Sequence, residues 1–198
     1  FTDSTIKCFG YNENGQLGYG DTSHRGDGLN EMGFNLPFVN LNGDVKSVAL
    51  GGYHSCAAFT DFSAACWGYN DYGQLGQGDI TDRGDDPNEM GAYLPPIDLG
   101  TNVYVDLILT GYEHTCMRST AGQVKCWGRN NYGQLGYGDQ INRGDGPGEM
   151  SDYLDFVEVG SGCVVVDLSL GNSHTCVVCS NGDVKCWGYN TNGQLGQG

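Results

Sequence analysis

The sequence predicts an all-β protein made of β-propeller blades, and three observations support this fold class. One unit of about 60 residues recurs about three and a half times along the 198 residues. Within the unit, short segments of alternating apolar and polar residues lie between glycine-containing turns, as β-strands do. No longer segment shows the apolar period of an α-helix. Together these observations predict a β-repeat architecture.

The repeat is visible in motifs that recur in one order. A Cys-Trp-Gly segment, with Phe9 in place of the tryptophan in the first unit, precedes an asparagine and then Gly-Gln-Leu-Gly. Gly-Asp, Arg-Gly-Asp and Glu-Met follow. The cysteines of the first segment are 58, 60 and 60 residues apart, at Cys8, Cys66, Cys126 and Cys186. This order divides the chain into a partial repeat at 1–44, complete repeats at 45–102 and 103–162, and a partial repeat at 163–198.

The third unit shows how strands and turns alternate. Residues 103–109 alternate in polarity and are rich in β-branched side chains, which predicts a first strand. Gly111 turns the chain into a second strand at 114–118, and Gly122 turns it into a third at 124–127. Three or four short strands per unit are typical of one propeller blade.

His-Thr-Cys, Cys-Trp-Gly-x-Asn and Gly-Gln-Leu-Gly-x-Gly-Asp make the chain resemble repeats of the regulator-of-chromosome-condensation type. The resemblance covers essentially the whole chain and is strongest to a cysteine-containing subgroup of secreted microbial proteins. It implies a seven-bladed β-propeller. Seven such units need roughly 420 residues, so we expect an incomplete ring, completed by residues outside this sequence or by neighbouring copies. Open sheet edges favour such association.

Three cysteine pairs, each separated by ten residues, predict hairpin disulfides. The pairs are Cys56–Cys66, Cys116–Cys126 and Cys176–Cys186. A hairpin centred near residue 121 places the two cysteines of its unit on facing positions, close enough for a disulfide. Nine cysteines indicate an oxidising compartment, and we expect the protein to be extracellular or at the cell surface.

Two further cysteines occur only in the last unit. Cys163 and Cys179 lie at equal distances from Gly171, and a hairpin about this glycine predicts a fourth disulfide between them. Cys8 is then unpaired, and its counterpart is expected before the first residue, as if the chain were truncated there. Zinc is the competing interpretation, since residues 176–179 have Cys-x-x-Cys spacing, but the other units lack such a pair.

The chain is strongly acidic, with 24 acidic and 9 basic side chains and a formal net charge of −15. Such a surface repels the phosphate backbone, so we expect no nucleic-acid partner. No stretch approaches the roughly 18 apolar residues that cross a membrane, so we expect no membrane insertion. Solubility alone would explain the charge, and divalent cations or a basic partner are the functional alternatives.

Loops that carry Arg-Gly-Asp recur at fixed positions in the unit. Their arginines are candidate loop contacts for an adhesion receptor: Arg25, Arg83 and Arg143. Their fixed place in the repeat favours a structural role instead, in which the arginine pairs with a carboxylate such as Glu89. The same loops hold candidate calcium ligands, because calcium prefers about six to eight oxygens. These candidates are Asp79, Asp85, Glu89, Asp139, Asp145 and Glu149. Solvated acidic loops are the simpler alternative.

Histidines and aromatic residues recur with the unit. His54, His114 and His174 appear once in each, which favours hydrogen-bonded turn residues over a catalytic triad. The tryptophans are predicted to pack in the core beside the disulfides. Tyrosines that follow Cys-Trp-Gly are candidates for either partner contacts or packing: Tyr69, Tyr72, Tyr132 and Tyr189.

These observations favour a non-catalytic extracellular module that presents a protein-binding surface. Among the roles of the family that it resembles, nucleotide exchange on a small GTPase is disfavoured by the disulfides. Light sensing is disfavoured because Gly-Tyr-Glu-His-Thr stands at 111–115, where that role uses Gly-Trp-Arg-His-Thr. The alternative function is a structural subunit of an extracellular filament or surface assembly, formed by self-association and stabilised by calcium. We expect no other cofactor.

Overall fold

A computed structural model describes residues 4–197 as three antiparallel, three-stranded sheets, each made of consecutive strands. The first sheet contains β1 (Val45–Leu50), β2 (His54–Phe59) and β3 (Ala64–Gly68). The second contains β4 (Val105–Thr110), β5 (His114–Ser119) and β6 (Val124–Gly128). The third contains β7 (Val165–Leu170), β8 (His174–Cys179) and β9 (Val184–Gly188). Between β6 and β7 lies a short 3-10 helix, Ser151–Tyr153.

The three sheets are consecutive blades of an open propeller. In each blade the last two strands pair in the same register, with Cys56 opposite Cys66 in the first and Cys116 opposite Cys126 in the second. In every blade the pairing of the first two strands has an irregularity near the start of the first strand. It interrupts the hydrogen-bonded ladder at the same position each time. The 60-residue sequence period is therefore a structural period as well.

A fourth extended segment pairs with the last strand of each of the first two blades. The N–H of Ile97 donates to the carbonyl of Ala64 at 2.8 Å, and the N–H of Val157 donates to that of Val124 at the same distance. The chain then crosses to the next blade, where the N–H of Val105 donates to the carbonyl of Phe62 at 2.8 Å. The first two blades are thus each tied to the next blade by the first residue of that blade's first strand.

The first strand of the second blade begins two residues later than the sequence predicts. Residues 101 and 102 form a turn, in which the N–H of Val103 donates to the carbonyl of Gly100. Gly100 and Asn102 both have positive φ, at 100° and 60°. Glycine and asparagine tolerate this conformation better than other residues, and it cannot continue a strand.

Apolar side chains fill the spaces between neighbouring blades. Trp127 packs with Leu75 of the preceding unit and with Ile108, and all three are nearly or fully buried. Equivalent clusters lie on either side of this one, around Trp67 and around Leu135. Trp187 of the third blade is only half-buried. In residues 4–197 no helix is long and apolar enough to cross a membrane.

Candidate protein-binding face

A backbone carbonyl in each Gly-Gln-Leu-Gly segment joins one unit to the next. The carbonyl of Gln74 accepts hydrogen bonds from Thr115 Oγ1 at 2.8 Å and from Trp127 Nε1 at 3.0 Å. All three residues are fully buried. The carbonyls of Gln16 and Gln134 accept the same two kinds of bond from the units that follow them. Trp67 and Trp127 are therefore core aromatics, as predicted, and the N–H groups of all three tryptophans also bind the preceding unit.

The repeated histidines hold the same junction from the preceding unit. His54 Nε2 lies 3.0 Å from Thr115 Oγ1, and His114 Nε2 lies 3.2 Å from Thr175 Oγ1. Because the Thr115 hydroxyl donates to Gln74, the histidine nitrogen must be the donor in its contact. Burial lowers the pKa of both histidines to about 3, so they are neutral at physiological pH. They start strands β2 and β5, in line with the second strand expected at 114–118, and they join units rather than close a turn.

A buried asparagine, which the sequence analysis did not assign, shapes the loop after each Cys-Trp-Gly. Asn70 Nδ2 donates to the carbonyls of Asp79 and Thr81, and Asn70 Oδ1 accepts from the N–H of Leu75. Asn12 and Asn130 make the corresponding bonds. The only sequence signal for this role is the recurrence of asparagine at this offset.

The arginines of the Arg-Gly-Asp loops are bound within the protein. Arg83 makes a two-pronged contact with Asp79, at 2.7 and 3.0 Å, so it pairs with a nearby carboxylate as expected, but with Asp79 and not Glu89. Glu89 instead accepts hydrogen bonds from the backbone N–H groups of Gly84 and Asp86. Arg25 and Arg143 pair with the aspartates four residues before them.

These loops also pack against the preceding unit. A Cβ on Gly84 would lie 3.0 Å from the carbonyl oxygen of Gly15, and Gly84 is buried. The arginine side chains are only 18–22% exposed, and each forms an ion pair with a carboxylate of its own loop. The geometry supports the structural alternative for Arg-Gly-Asp rather than an adhesive one.

The candidate calcium ligands do not converge. Asp79 and Asp139 bind arginines, and Glu149 accepts from three successive backbone N–H groups at 144–146. In the described part of the chain no group of three or more aspartate, glutamate, histidine or cysteine side chains has a metal-binding arrangement. Asp85 lies beside Glu89, and Asp145 lies beside Glu149. Burial is the largest cause of a raised pKa at Asp85, and repulsion from the Glu89 carboxylate adds to it. The carboxylates therefore serve the loops' internal contacts.

Four disulfides join the cysteine pairs expected from the sequence. Three of them connect facing residues of the last two strands of a blade: Cys56–Cys66, Cys116–Cys126 and Cys176–Cys186. Cys163–Cys179 ties the segment before β7 to the end of β8. These two are not directly opposed, because Val165 faces Cys179 in the register. Each disulfide fixes a hairpin from within its own unit.

Cys8 is a free, partly buried thiol at the first edge of the repeat array. Burial raises its pKa to about 11, so the thiol is protonated at physiological pH. It lines a cavity of about 700 Å³ together with Phe9, Val48 and Leu50. Phe9 and Leu50 are 63% and 68% exposed, so this edge carries an open apolar surface.

Seven tyrosines from consecutive units lie at one end of the blades and form what we call the tyrosine face. They occupy the turns after β1 and β4 and the loops after Cys-Phe-Gly or Cys-Trp-Gly: Tyr11, Tyr53, Tyr69, Tyr72, Tyr112, Tyr132 and Tyr189. The Tyr53 ring centroid lies 5.8 Å from that of Tyr11 and 5.5 Å from that of Tyr112. Tyr132 and Tyr189 lie 4.7 Å apart, edge to face.

The turns under this face are held by backbone bonds between blades. The N–H of Gly52 donates to the carbonyl of Tyr112 at 3.1 Å, and the N–H of Tyr112 donates to that of Asn172 at 3.2 Å. A Cβ on Gly52 would lie 2.7 Å from the Tyr112 ring, so only glycine fits there. Tyr11 and Tyr132 remain 46% and 47% exposed. The face is thus an accessible aromatic surface on a rigid support.

Carboxylates accompany the rings. The hydroxyls of Tyr11 and Tyr69 donate to Glu13 and Asp71, each at 2.7 Å. The bond to Glu13 raises the pKa of Tyr11 to about 12, and burial and Asp71 raise that of Tyr69. Four of the seven tyrosines are predicted from their position after Cys-Trp-Gly. Tyr11, Tyr53 and Tyr112 are not predicted, because none of them follows a Cys-Trp-Gly segment.

Comparison with known proteins matches the Regulator of chromosome condensation (RCC1) repeat over most of the chain. The matched residues are 8–58, 45–74, 108–134 and 165–194. Ultraviolet-B receptor UVR8 of Arabidopsis thaliana is 32% identical over 199 residues, which cover 99% of this chain and 40% of the relative. The probable E3 ubiquitin-protein ligase HERC4 of Homo sapiens is 29% identical over 77% of this chain and 13% of its own length.

Solved structures show the same fold at low sequence identity. Prp20p from Saccharomyces cerevisiae has a TM-score of 0.69 at 20% identity, covering 98% of this chain and 43% of that one. Human WBSCR16 has a TM-score of 0.66 at 22% identity, covering 92% and 42%. This chain therefore spans less than half the length of these relatives. The repeat matches, the blade geometry and these similarities show that the chain belongs to the RCC1-repeat family of β-propellers.

Proposed function

We propose that this chain is part of a non-catalytic, extracellular module that presents the tyrosine face to a protein partner. The main support is that tyrosines from successive units lie together on one rigid, exposed surface. Tyrosine is enriched at the energetic centres of protein interfaces, because its ring buries a large area at little entropic cost. Here the rings also contact one another, so partner binding would order few further side chains.

Relatives lend support to protein binding. The structure of yeast Prp20 was determined with Kap60 bound, and Prp20p is described as binding Gsp1p and histones. Those partners belong to Prp20, which this chain resembles over less than half of its length. What carries over to the proposal is the use of this propeller type as a protein-binding scaffold.

The proposed extracellular setting rests on the disulfides. Eight of the nine cysteines are bridged, and three bridges repeat at one place in successive blades. Bridges of this density are typical of oxidising compartments. Thiol alkylation of the unfolded protein from its native source, followed by peptide mapping, tests this setting. We expect the eight bridged cysteines to stay unlabelled, and labelling of Cys116 and Cys126 would contradict the proposal.

The protein-binding role is tested by removing rings from the face. Tyr11→Ser, Tyr112→Ser and Tyr132→Ser are combined in one variant, and a matched control replaces three exposed tyrosines elsewhere: Tyr93, Tyr104 and Tyr153. Each protein is immobilised in extracellular fluid from the native source, and retained proteins are quantified by mass spectrometry. We expect proteins that the native chain and the control retain but the face variant loses. Equal retention by all three would refute the role of the face.

Assembly of copies of this chain is the second candidate, and the exposed cavity around Cys8 and Leu50 favours it. It ranks second because tryptophan N–H groups join successive units by donating to a Gly-Gln-Leu-Gly carbonyl of the preceding unit. Phe9 stands in place of this tryptophan in the first unit and has no N–H to donate to such a carbonyl of a neighbouring copy. Sedimentation with and without calcium distinguishes the two. A discrete species at all concentrations supports the binding module, whereas concentration-dependent polymers support a filament.

A further inference from the structure

We propose that the tyrosine face binds a basic segment of its partner, with arginine side chains lying on tyrosine rings and against the carboxylates beside them. This inference rests on the proposed function, because it names the chemistry of the partner for the same face. Three properties of the face lead to it: an internal arginine already bound in this way, tyrosines in place of an arginine at the equivalent positions, and a surplus of hydrogen-bond acceptors.

Arg129 shows how the face holds a guanidinium. Its carbon Cζ lies 4.8 Å from the centroid of the Tyr72 ring, within the range of a cation–π contact. The same guanidinium pairs with the carboxylate of Glu113, whose side chain is 14% exposed. Tyr72 belongs to the preceding unit, so the arginine lies across a junction between blades. An arginine from another protein would find the same two kinds of contact elsewhere on the face.

The positions equivalent to Arg129 in other units hold tyrosines instead. By repeat alignment these are Tyr11, Tyr69 and Tyr189. Glu13 follows Tyr11 by two residues, and Asp71 follows Tyr69 by two. Each of these two rings therefore has a carboxylate at its edge. Arg129 is the one lysine or arginine that contacts a ring of this face within residues 4–197. Rings and carboxylates therefore outnumber the cations that the chain supplies.

The polar groups of the face are biased toward accepting hydrogen bonds. The hydroxyl hydrogens of Tyr11 and Tyr69 are used by Glu13 and Asp71. The remaining oxygen lone pairs and the negative ring faces are complementary to a donor or a cation from the partner. Arginine satisfies both, because its planar guanidinium stacks on a ring and presents several N–H groups to a carboxylate. The net charge of −15 would further speed the approach of a basic segment.

The test uses three synthetic peptides of equal length, with arginine, lysine or glutamate alternating with glycine. Binding is followed by NMR of tyrosine rings labelled with carbon-13 and by calorimetry at low and high salt. The face variant combines Glu13→Gln and Asp71→Asn, which keep an acceptor for each hydroxyl. The control combines Asp155→Asn and Glu158→Gln, which remove the same charge from an exposed loop between β6 and β7.

We expect the arginine peptide to bind most tightly and to shift signals of the tyrosine face but not of Tyr153. The face variant should weaken this binding about tenfold, and the control less than about twofold. Equal weakening by both would overturn the inference, because it would show attraction to net charge alone. Failure of the arginine peptide to shift the face would overturn it as well. If that occurs while the tyrosine variant still loses native partners, the inference fails and the proposed function stands.

Discussion

Replacing Thr115 by valine should weaken the junction between the first two blades, because it removes two buried hydrogen bonds. The Thr115 hydroxyl donates to the carbonyl of Gln74 and accepts from His54 Nε2, at 2.8 and 3.0 Å. Valine has the same shape but makes neither bond. His54 is 1% exposed, so no water can replace the lost acceptor of its N–H.

The expected cost follows from these two contacts. Losing the bond to the Gln74 carbonyl removes about 1 kcal/mol, and leaving the buried histidine donor unpaired costs about 1–3 kcal/mol more. The Gln74 carbonyl keeps its bond from Trp127 and needs no further partner. We therefore expect the free energy of unfolding to fall by about 2–4 kcal/mol.

Urea unfolding followed by tryptophan fluorescence measures this loss. Thr115→Ser keeps the hydroxyl and should cost less than about 1 kcal/mol, since Ser55 fills the same role for Gln16. Thr120→Val, at an exposed position, is the control for the substitution itself. A Thr115→Val protein as stable as the Thr120→Val protein would refute the assignment of this junction.

Three further changes should act on the same framework. Replacing Cys116 and Cys126 together by alanine should lower the free energy of unfolding by about 3 kcal/mol in non-reducing urea titrations, as expected for a loop of this length. Burial lowers the folded-state pKa of His54 and His114 below the unfolded value. The contribution of the two neutral histidines to the free energy of unfolding is therefore complete above about pH 6.5. It is lost as the pH falls toward 3, by about 3 kcal/mol per pH unit for the two together. Urea titrations should show that a double His→Asn variant loses stability less steeply with acid. Gly76→Ala should cost at least about 2 kcal/mol by thermal unfolding, because φ there is +71° and a Cβ would lie 2.7 Å from the next unit's indole nitrogen.

The blade plan and the disulfides could be predicted because they depend on spacing alone. Cysteines ten residues apart on either side of a glycine turn must face each other if the segment is a hairpin, and the register of Cys116 with Cys126 has this form. Boundaries were less predictable. The strand expected from Val103 begins at Val105, because turn geometry at Gly100 and Asn102 outweighs β-propensity.

Contacts that depend on the path of a loop or on the packing of units could not be predicted from local patterns. The sequence shows that Arg83 has several carboxylates nearby but not that the loop brings Asp79 into position, since a buried asparagine sets that loop. Likewise the tyrosine face combines turns and loops from different units, so tyrosines at unequal offsets meet only after the blades pack. Histidine showed a period in the sequence, but its partner lies 61 residues away.

Oxidative footprinting of the tyrosines in a complex with a native partner measures whether the tyrosine face is the binding surface. We expect Tyr11, Tyr112 and Tyr132 to lose reactivity when the partner binds, while Tyr93 and Tyr153, 68% and 79% exposed, stay as reactive as in the free protein. Protection of Tyr93 and Tyr153 with unchanged reactivity of the tyrosine face would contradict this expectation.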